Sequence, residues 1–121
     1  MPTVLVAEDD PQVLELVTRV LREGGYDTIV ARDGQEAWGI FHRADHSIDL
    51  VIADVVMPHL TGTELVARVA ARRPELPLIL MSGYTSEDLG RRGLVRSHGH
   101  LLTKPFTHEQ LLSLVRRLIS E

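Results

Sequence analysis

Leu50-Val51-Ile52-Ala53-Asp54 is the stretch on which the fold turns. Four successive apolar residues leave no face for water, so they describe a strand covered on both sides, as in a parallel sheet between layers of helices. Asp54 closes that strand and stands at the rim of the sheet, where open α/β folds bind their ligands. Val55-Val56-Met57-Pro58-His59-Leu60-Thr61-Gly62 follow as a loop, punctuated by Pro58 and Gly62. An aspartate at a strand end is as often a turn cap as a functional group. Its meaning depends on what else reaches the same rim.

Working outward, Thr3 to Ala7 is another apolar run, and it ends in Glu8-Asp9-Asp10-Pro11. Asp10 fits an N-cap with Pro11 in the first helical position. Val13, Leu14, Val17, Val20 and Leu21 recur at helical spacing until Gly24-Gly25. A strand is expected over Thr28 to Ala31. The Asp33/Glu36 spacing resembles a capping box for a helix with Ala37, Ile40, Phe41 and Ala44 on one face. Beyond the Asp54 loop, Thr61 and Glu64 repeat that spacing, with Leu65, Val66, Val69 and Ala70 inward and Pro74 ending the helix.

Leu78 to Met81 is a fourth strand, left through Ser82-Gly83-Tyr84. Ser86 to Gly99 is the poorest helix in the chain, with glycines at 90, 93 and 99, each interior one costing about 0.5–1 kcal/mol relative to alanine. A short, mobile helix is expected there. His100 to Thr103 is a short fifth strand before Lys104-Pro105-Phe106. Thr107 and Gln110 then cap a last helix, with Phe106 placed to staple against Leu111. Leu111, Leu112, Val115, Leu118 and Ile119 form its buried stripe. Strands alternating with helices argue for a flavodoxin-like (βα)5 fold with a parallel sheet ordered 2-1-3-4-5.

The chain's 121 residues read as one domain, residues 1–121, with no room for a separate output domain. A net charge of −4 favours neither nucleic acid nor an anionic membrane. No stretch has the ~20 apolar residues of a membrane span, and the N-terminus has no signal-peptide pattern. Cysteine is absent, which excludes thiol catalysis and fits the cytoplasm.

In the 2-1-3-4-5 order the first and third strands are neighbours, so Glu8, Asp9 and Asp54 emerge side by side. Two carboxylates about 4 Å apart repel by roughly 4 kcal/mol at an effective dielectric near 20. Three at one rim need a cation or a proton, and an all-oxygen set suits Mg²⁺. Lys104 brings an ammonium to the same edge and Ser82 a hydroxyl. The inventory matches phosphoryl transfer onto Asp54, with the metal and Lys104 offsetting charge on the phosphoryl oxygens.

Over essentially its full length the chain resembles a receiver domain of the two-component response-regulator family. The resemblance rests on Val6-Ala7-Glu8-Asp9-Asp10, Asp54-Val55-Val56-Met57-Pro58 with Gly62, Met81-Ser82-Gly83-Tyr84 and Lys104-Pro105-Phe106. It implies that Asp54 accepts a phosphoryl group from a histidine kinase or histidine phosphotransfer protein. It further implies that Asp9 ligates Mg²⁺ directly, that Glu8 acts through water, and that the Val56 backbone carbonyl is the third protein ligand. Ser82 and Lys104 match the switch hydroxyl and the phosphate-binding lysine, and the Lys104-Pro105 bond is expected to be cis. The Met81-to-Thr85 wording is similar to receivers attached to hybrid histidine kinases. The implied partners are therefore the phosphodonor and either a downstream protein or the chain's own kinase domain, with the receiver a monomer or weak dimer. One departure stands out: Leu101 occupies the position where the family carries its switch aromatic, and Tyr84 is a possible substitute.

Other polar residues read more plainly. His42 and His46 have i,i+4 spacing but no third ligand nearby in sequence, so they are taken as solvated. Trp38 lies beside an inward stripe and is expected to pack partially. Arg91-Arg92 and Arg116-Arg117 are helix surface, and His59, His98, His100 and His108 show no phosphotransfer context. Three other functions compete. An aspartyl-nucleophile phosphatase would need a general acid two residues after Asp54, where Val56 stands, so the chain is expected to label itself rather than turn over substrate. A flavin carrier lacks its phosphate cradle, since Glu8-Asp9-Asp10 follows the first strand. A degenerate receiver acting only as a protein-binding module would have lost residues that are present here.

Overall fold

The computed structural model describes residues 1–91 and 99–119. Its strands are β1 (Thr3–Ala7), β2 (Asp27–Ala31), β3 (Leu50–Asp54), β4 (Leu78–Ser82) and β5 (His100–Thr103). They form a parallel sheet in the order β2-β1-β3-β4-β5, as the alternation of elements requires. The helices are α1 (Pro11–Glu23), α2 (Gly34–Ala44), α3 (Gly62–Arg72), α4 (Ser86–Arg91) and α5 (His108–Leu118). A 3-10 turn at Asp45–Ser47 joins α2 to β3 and has no counterpart in the sequence reading.

Side chains alternate across each strand, so the sheet feeds two cores. Val4, Val6, Leu50, Ile52, Ile79, Met81 and Leu102 meet Leu14, Val17, Leu21, Leu111 and Val115 from α1 and α5. On the other face, Leu5, Ala7, Val51, Ala53, Leu78 and Leu80 meet Ala37, Phe41, Leu65, Val66, Val69 and Leu89 from α2, α3 and α4. Val51 and Ile52 are fully buried on opposite faces, which is why their run has no polar member.

The helix ends follow local chemistry. Asp10 accepts hydrogen bonds from the Gln12 and Val13 N–H groups, at 2.9 and 3.4 Å. Thr61/Glu64 and Thr107/Gln110 are complete capping boxes. Asp33/Glu36 is only half of one: Asp33 accepts from the Glu36 N–H at 2.7 Å, but the Glu36 carboxylate reaches past it to the Arg32 N–H at 2.9 Å. Phe106 packs against the core that contains Leu111, where a staple would put it. The Lys104-Pro105 bond is cis. The stretch expected to form a short, mobile helix, Ser86 to Gly99, begins with the six residues of α4, and its residues 92–98, with Arg92, Gly93 and His98, lie outside the described residues.

Candidate functional site

Parallel register decides which residues meet. Ala7 of β1 lies opposite Ala53 of β3, so Glu8 and Asp54 are adjacent as they leave the sheet. Ser82 lies opposite Thr103, and Lys104 is one step further. By strand alternation, Glu8 continues the row Val4–Val6, Asp54 the row Leu50–Ile52, and Lys104 the side of Leu102. All three rows belong to the core under α1 and α5. The charged ends of three apolar rows thus crown one core.

Lys104 Nζ lies 3.1 Å from Glu8 Oε1 and 3.4 Å from Asp54 Oδ1. Carboxylate oxygens of Glu8, Asp9 and Asp54 all lie within 4.8 Å of one another. Their exposure is graded: Glu8 is fully buried, Asp54 half-buried and Asp9 exposed. The cluster therefore has a sealed floor and a wet mouth.

That grading sets the electrostatics. Burial disfavours the Glu8 carboxylate. The Asp10 N–H, 3.2 Å from Glu8 Oε2, counters it in part, and the Asp54 charge adds to it. Glu8 is pushed up to about 7, and the Lys104 attraction is too weak to reverse this. For Lys104, burial works against the charge, but Asp54 and then Glu8 outweigh it, so its ammonium is held above the usual lysine range. Three carboxylates facing one firmly charged ammonium leave the rim short of positive charge, and the oxygen-only donors fit Mg²⁺.

The loop after Asp54 is held close to the rim. The Val55 N–H donates to the Met81 carbonyl at 2.9 Å, and the Gly62 N–H to the Val55 carbonyl at 2.8 Å. A methyl group at Gly62 would lie 2.1 Å from the Asp54 carbonyl oxygen, so only glycine allows α3 to begin there. Val55 is buried while Val56 is 52% exposed, which turns the second residue of the loop out to solvent. His59 adopts a left-handed backbone, φ 72°, rare for a residue with a side chain.

Ser82, 2% exposed, accepts a hydrogen bond from the Tyr84 N–H at 2.9 Å. It follows the row of Leu78 and Leu80 on the α2/α3 side, so it approaches the rim from the opposite face to Lys104. Leu101, paired with Leu80, packs with Tyr84 against that same core.

His42 and His46 do not converge. His42 Nδ1 lies 2.6 Å from Arg72 Nη1, and His46 Nδ1 is 3.7 Å from Asp45 Oδ1. Among the described residues, Glu8, Asp9 and Asp54 form the metal-type cluster. Asp10 belongs to the α1 cap, as its position before Pro11 implies. Sequence reading had no means of pairing Lys104 with Glu8, 96 positions away, beyond assigning both to strand ends.

Known proteins of this shape are numerous. The family model for the response regulator receiver domain matches residues 4–116. Response regulator GtcR of Aneurinibacillus migulanus is 34% identical over 104 residues, which cover 86% of this chain and 42% of that protein. Sensor kinase CckA of Brucella abortus is 31% identical over 119 residues, covering 98% of this chain and 13% of that protein. The chain thus spans less than half the length of either relative. Among solved structures, response regulator TrrA of Thermotoga maritima, in complex with Mg²⁺-BeF, superposes with a TM-score of 0.83 at 29% identity, covering 98% of this chain and 100% of that one.

Proposed function

The chain belongs to the response regulator receiver domain family, and from that premise we propose that Asp54 is its phosphoacceptor, supplied by a phosphohistidine on a histidine kinase or histidine phosphotransfer protein. An Asp54 carboxylate oxygen attacks phosphorus while the phosphorus–nitrogen bond breaks, and the donor imidazole leaves with the bonding pair and takes up a proton. Lys104, 3.4 Å from Asp54 Oδ1, offsets charge on one phosphoryl oxygen. The Ser82 hydroxyl donates to another. Asp9 and Asp54, the Val56 carbonyl, and Glu8 through water would hold Mg²⁺, which supplies further positive charge to the phosphoryl oxygens. The observation that carries this reading is three carboxylates within 4.8 Å of one another with Lys104 beside two of them.

Val56 offers no proton to a leaving group, so the protein acts as a phosphoacceptor and not as a turnover phosphatase. The likeness to CckA supports a place within or beside a kinase, with a downstream protein or an attached kinase domain as recipient of the signal. Among the described residues no helix is long and apolar enough to cross a membrane, and we assign the domain to the cytoplasm, as a monomer or weak dimer that binds neither nucleic acid nor lipid. Incubation with Mg²⁺ and acetyl phosphate followed by intact mass measurement tests the central claim. One added phosphoryl group is expected, lost in Asp54→Asn and on chelation. Labelling that persists in Asp54→Asn overturns the assignment.

A further inference from the structure

Where α2 begins, it meets the loop that leaves Asp54 across a gap too narrow for any side chain. Gly34 is the first residue of α2 and is buried. A methyl group there would lie 2.0 Å from the Leu60 carbonyl oxygen, 2.8 Å from the carbonyl carbon and 2.9 Å from Leu60 Cβ. None of these atoms can swing aside as the tip of a side chain can. The contact must open by more than about 1 Å before it reaches an ordinary van der Waals distance. Gly39, in the interior of the same helix, is different: a methyl group there would meet only Arg43 Nη1, at 3.6 Å.

Whichever side of this contact yields, the rim is disturbed. On the loop side, Val55, Met57 and Leu60 are buried in one core with Ala37 and Phe41. The Leu60 N–H donates to the Pro58 carbonyl at 2.8 Å, closing a γ-turn centred on left-handed His59. Such a turn is strained and lasts only where its surroundings hold it. The Gly62 N–H ties the far end of the loop back to the Val55 carbonyl, so a shift of Leu60 is passed toward Val56 and Asp54. On the helix side, Asp33 caps the Glu36 N–H at 2.7 Å, and the Ala31 carbonyl accepts the Glu8 N–H at 3.0 Å. Further along, α2 is held against α3, where the Arg68 guanidinium lies over Trp38, 5.7 Å from its ring centroid. A retreat of the start of α2 is therefore passed to Glu8.

We infer that Gly34 is a positioning residue of the rim: its missing side chain lets α2 press on Leu60 and hold the 55–61 loop, and with it Val56 and Asp54, in register with Glu8 and Asp9. The inference rests on the reading of that rim as a Mg²⁺ site. Gly34 touches no reacting atom and acts only through the loop. Metal affinity is sensitive to such support, because Mg²⁺ demands near-ideal octahedral geometry and tolerates little displacement of its oxygen donors. Groups that orient ligands without binding the ion ordinarily account for a 10–100-fold range in affinity.

The test compares the full chain with Gly34→Ala, Gly39→Ala and the double variant. Gly39→Ala removes a helix-interior glycine without a clash, so it should raise stability and offset part of the loss caused by Gly34→Ala. In EDTA, amide exchange across the 55–61 loop should quicken by about tenfold or more in the double variant relative to Gly39→Ala. Titration with MgCl₂, followed by amide shifts at the rim, should show half-saturation at a concentration about tenfold or more higher in the double variant. A role in the fold alone would lower the urea midpoint of Gly34→Ala and leave Mg²⁺ half-saturation of the folded protein unmoved. Equal half-saturation in Gly39→Ala and the double variant, or exchange that changes only within α2, would overturn the proposal. Failure of the double variant to fold would assign Gly34 to the fold as a whole and overturn it equally. If the unmodified chain shows no saturation with Mg²⁺, the metal reading of the rim fails, and exchange in EDTA still decides whether Gly34 holds the loop.

Discussion

Replacing Glu8 with glutamine should flatten the pH dependence of stability in metal-free buffer, by an amount that its burial sets. The Glu8 side chain is fully buried, and its carboxyl is pushed from 4.5 to about 7. At about 1.36 kcal/mol per unit, that gap corresponds to about 3 kcal/mol at full ionisation. The open mouth of the cluster tempers this, so about 2 kcal/mol is the working figure. A carboxyl whose folded-state value is raised binds its proton more tightly folded than unfolded. Its contribution to stability is complete below 4.5, is lost as pH rises through the window up to about 7, and is absent above that. Urea unfolding monitored by circular dichroism, with EDTA, from pH 4.5 to 8 gives the difference between the unmodified chain and Glu8→Gln. That difference should shift by about 2 kcal/mol against the unmodified chain as pH rises. Saturating Mg²⁺ should reverse much of the loss, and by more at pH 8 than at pH 5.5, because the ion favours the ionised form. A difference that stays flat, or that grows in favour of the unmodified chain, would mean that Lys104 keeps Glu8 ionised well below neutrality. The electrostatic account of the rim would then be wrong.

Three further outcomes follow from other parts of the structure. His59→Gly should stabilise the fold by about 0.5–1 kcal/mol in urea unfolding, since a left-handed backbone costs a side-chain-bearing residue about 1–2 kcal/mol and glycine returns part of that gain as unfolded-state entropy; any clear destabilisation would mean that the imidazole contributes more than its backbone costs. Gly62→Ala places a methyl group 2.1 Å from the Asp54 carbonyl oxygen, so phosphoryl uptake from acetyl phosphate should fall sharply alongside a stability loss of about 1–3 kcal/mol, and unchanged uptake would show that the loop can move without harm. Phe41→Ala, at a fully buried ring stacked beneath Trp38, should cost about 3–5 kcal/mol by thermal or urea unfolding. A loss under about 1 kcal/mol would contradict its place in the core.

What could be read from the sequence, and what could not, divides along a physical line. Strand identity was written in composition: Leu50 to Ala53 has no polar member because both of its faces are covered. Caps were written in spacing, since a Thr61 hydroxyl and a Glu64 carboxylate three residues apart have few better partners than each other's backbone. The rim was legible for the same reason, because strand order follows from topology and topology places every strand's last residue at one edge. Interactions that cross between elements left no such trace. The Asp33/Glu36 pair has the spacing of a box, yet the Glu36 carboxylate went to Arg32, because two backbone donors stood within reach and spacing does not rank them. Nothing marks His59 as left-handed, since its conformation is imposed by closing the loop between Asp54 and the Thr61 cap. Arg68 and Trp38 lie 30 positions apart on different helices and read separately as surface and half-buried stripe. Only the packing of α2 on α3 turns them into one feature. The chemistry that depends on the sheet edge is thus encoded locally, in the residues that close each strand. A contact such as that of Arg68 with Trp38, in contrast, depends on which exposed side chains two neighbouring helices bring together, and no spacing within either helix records it.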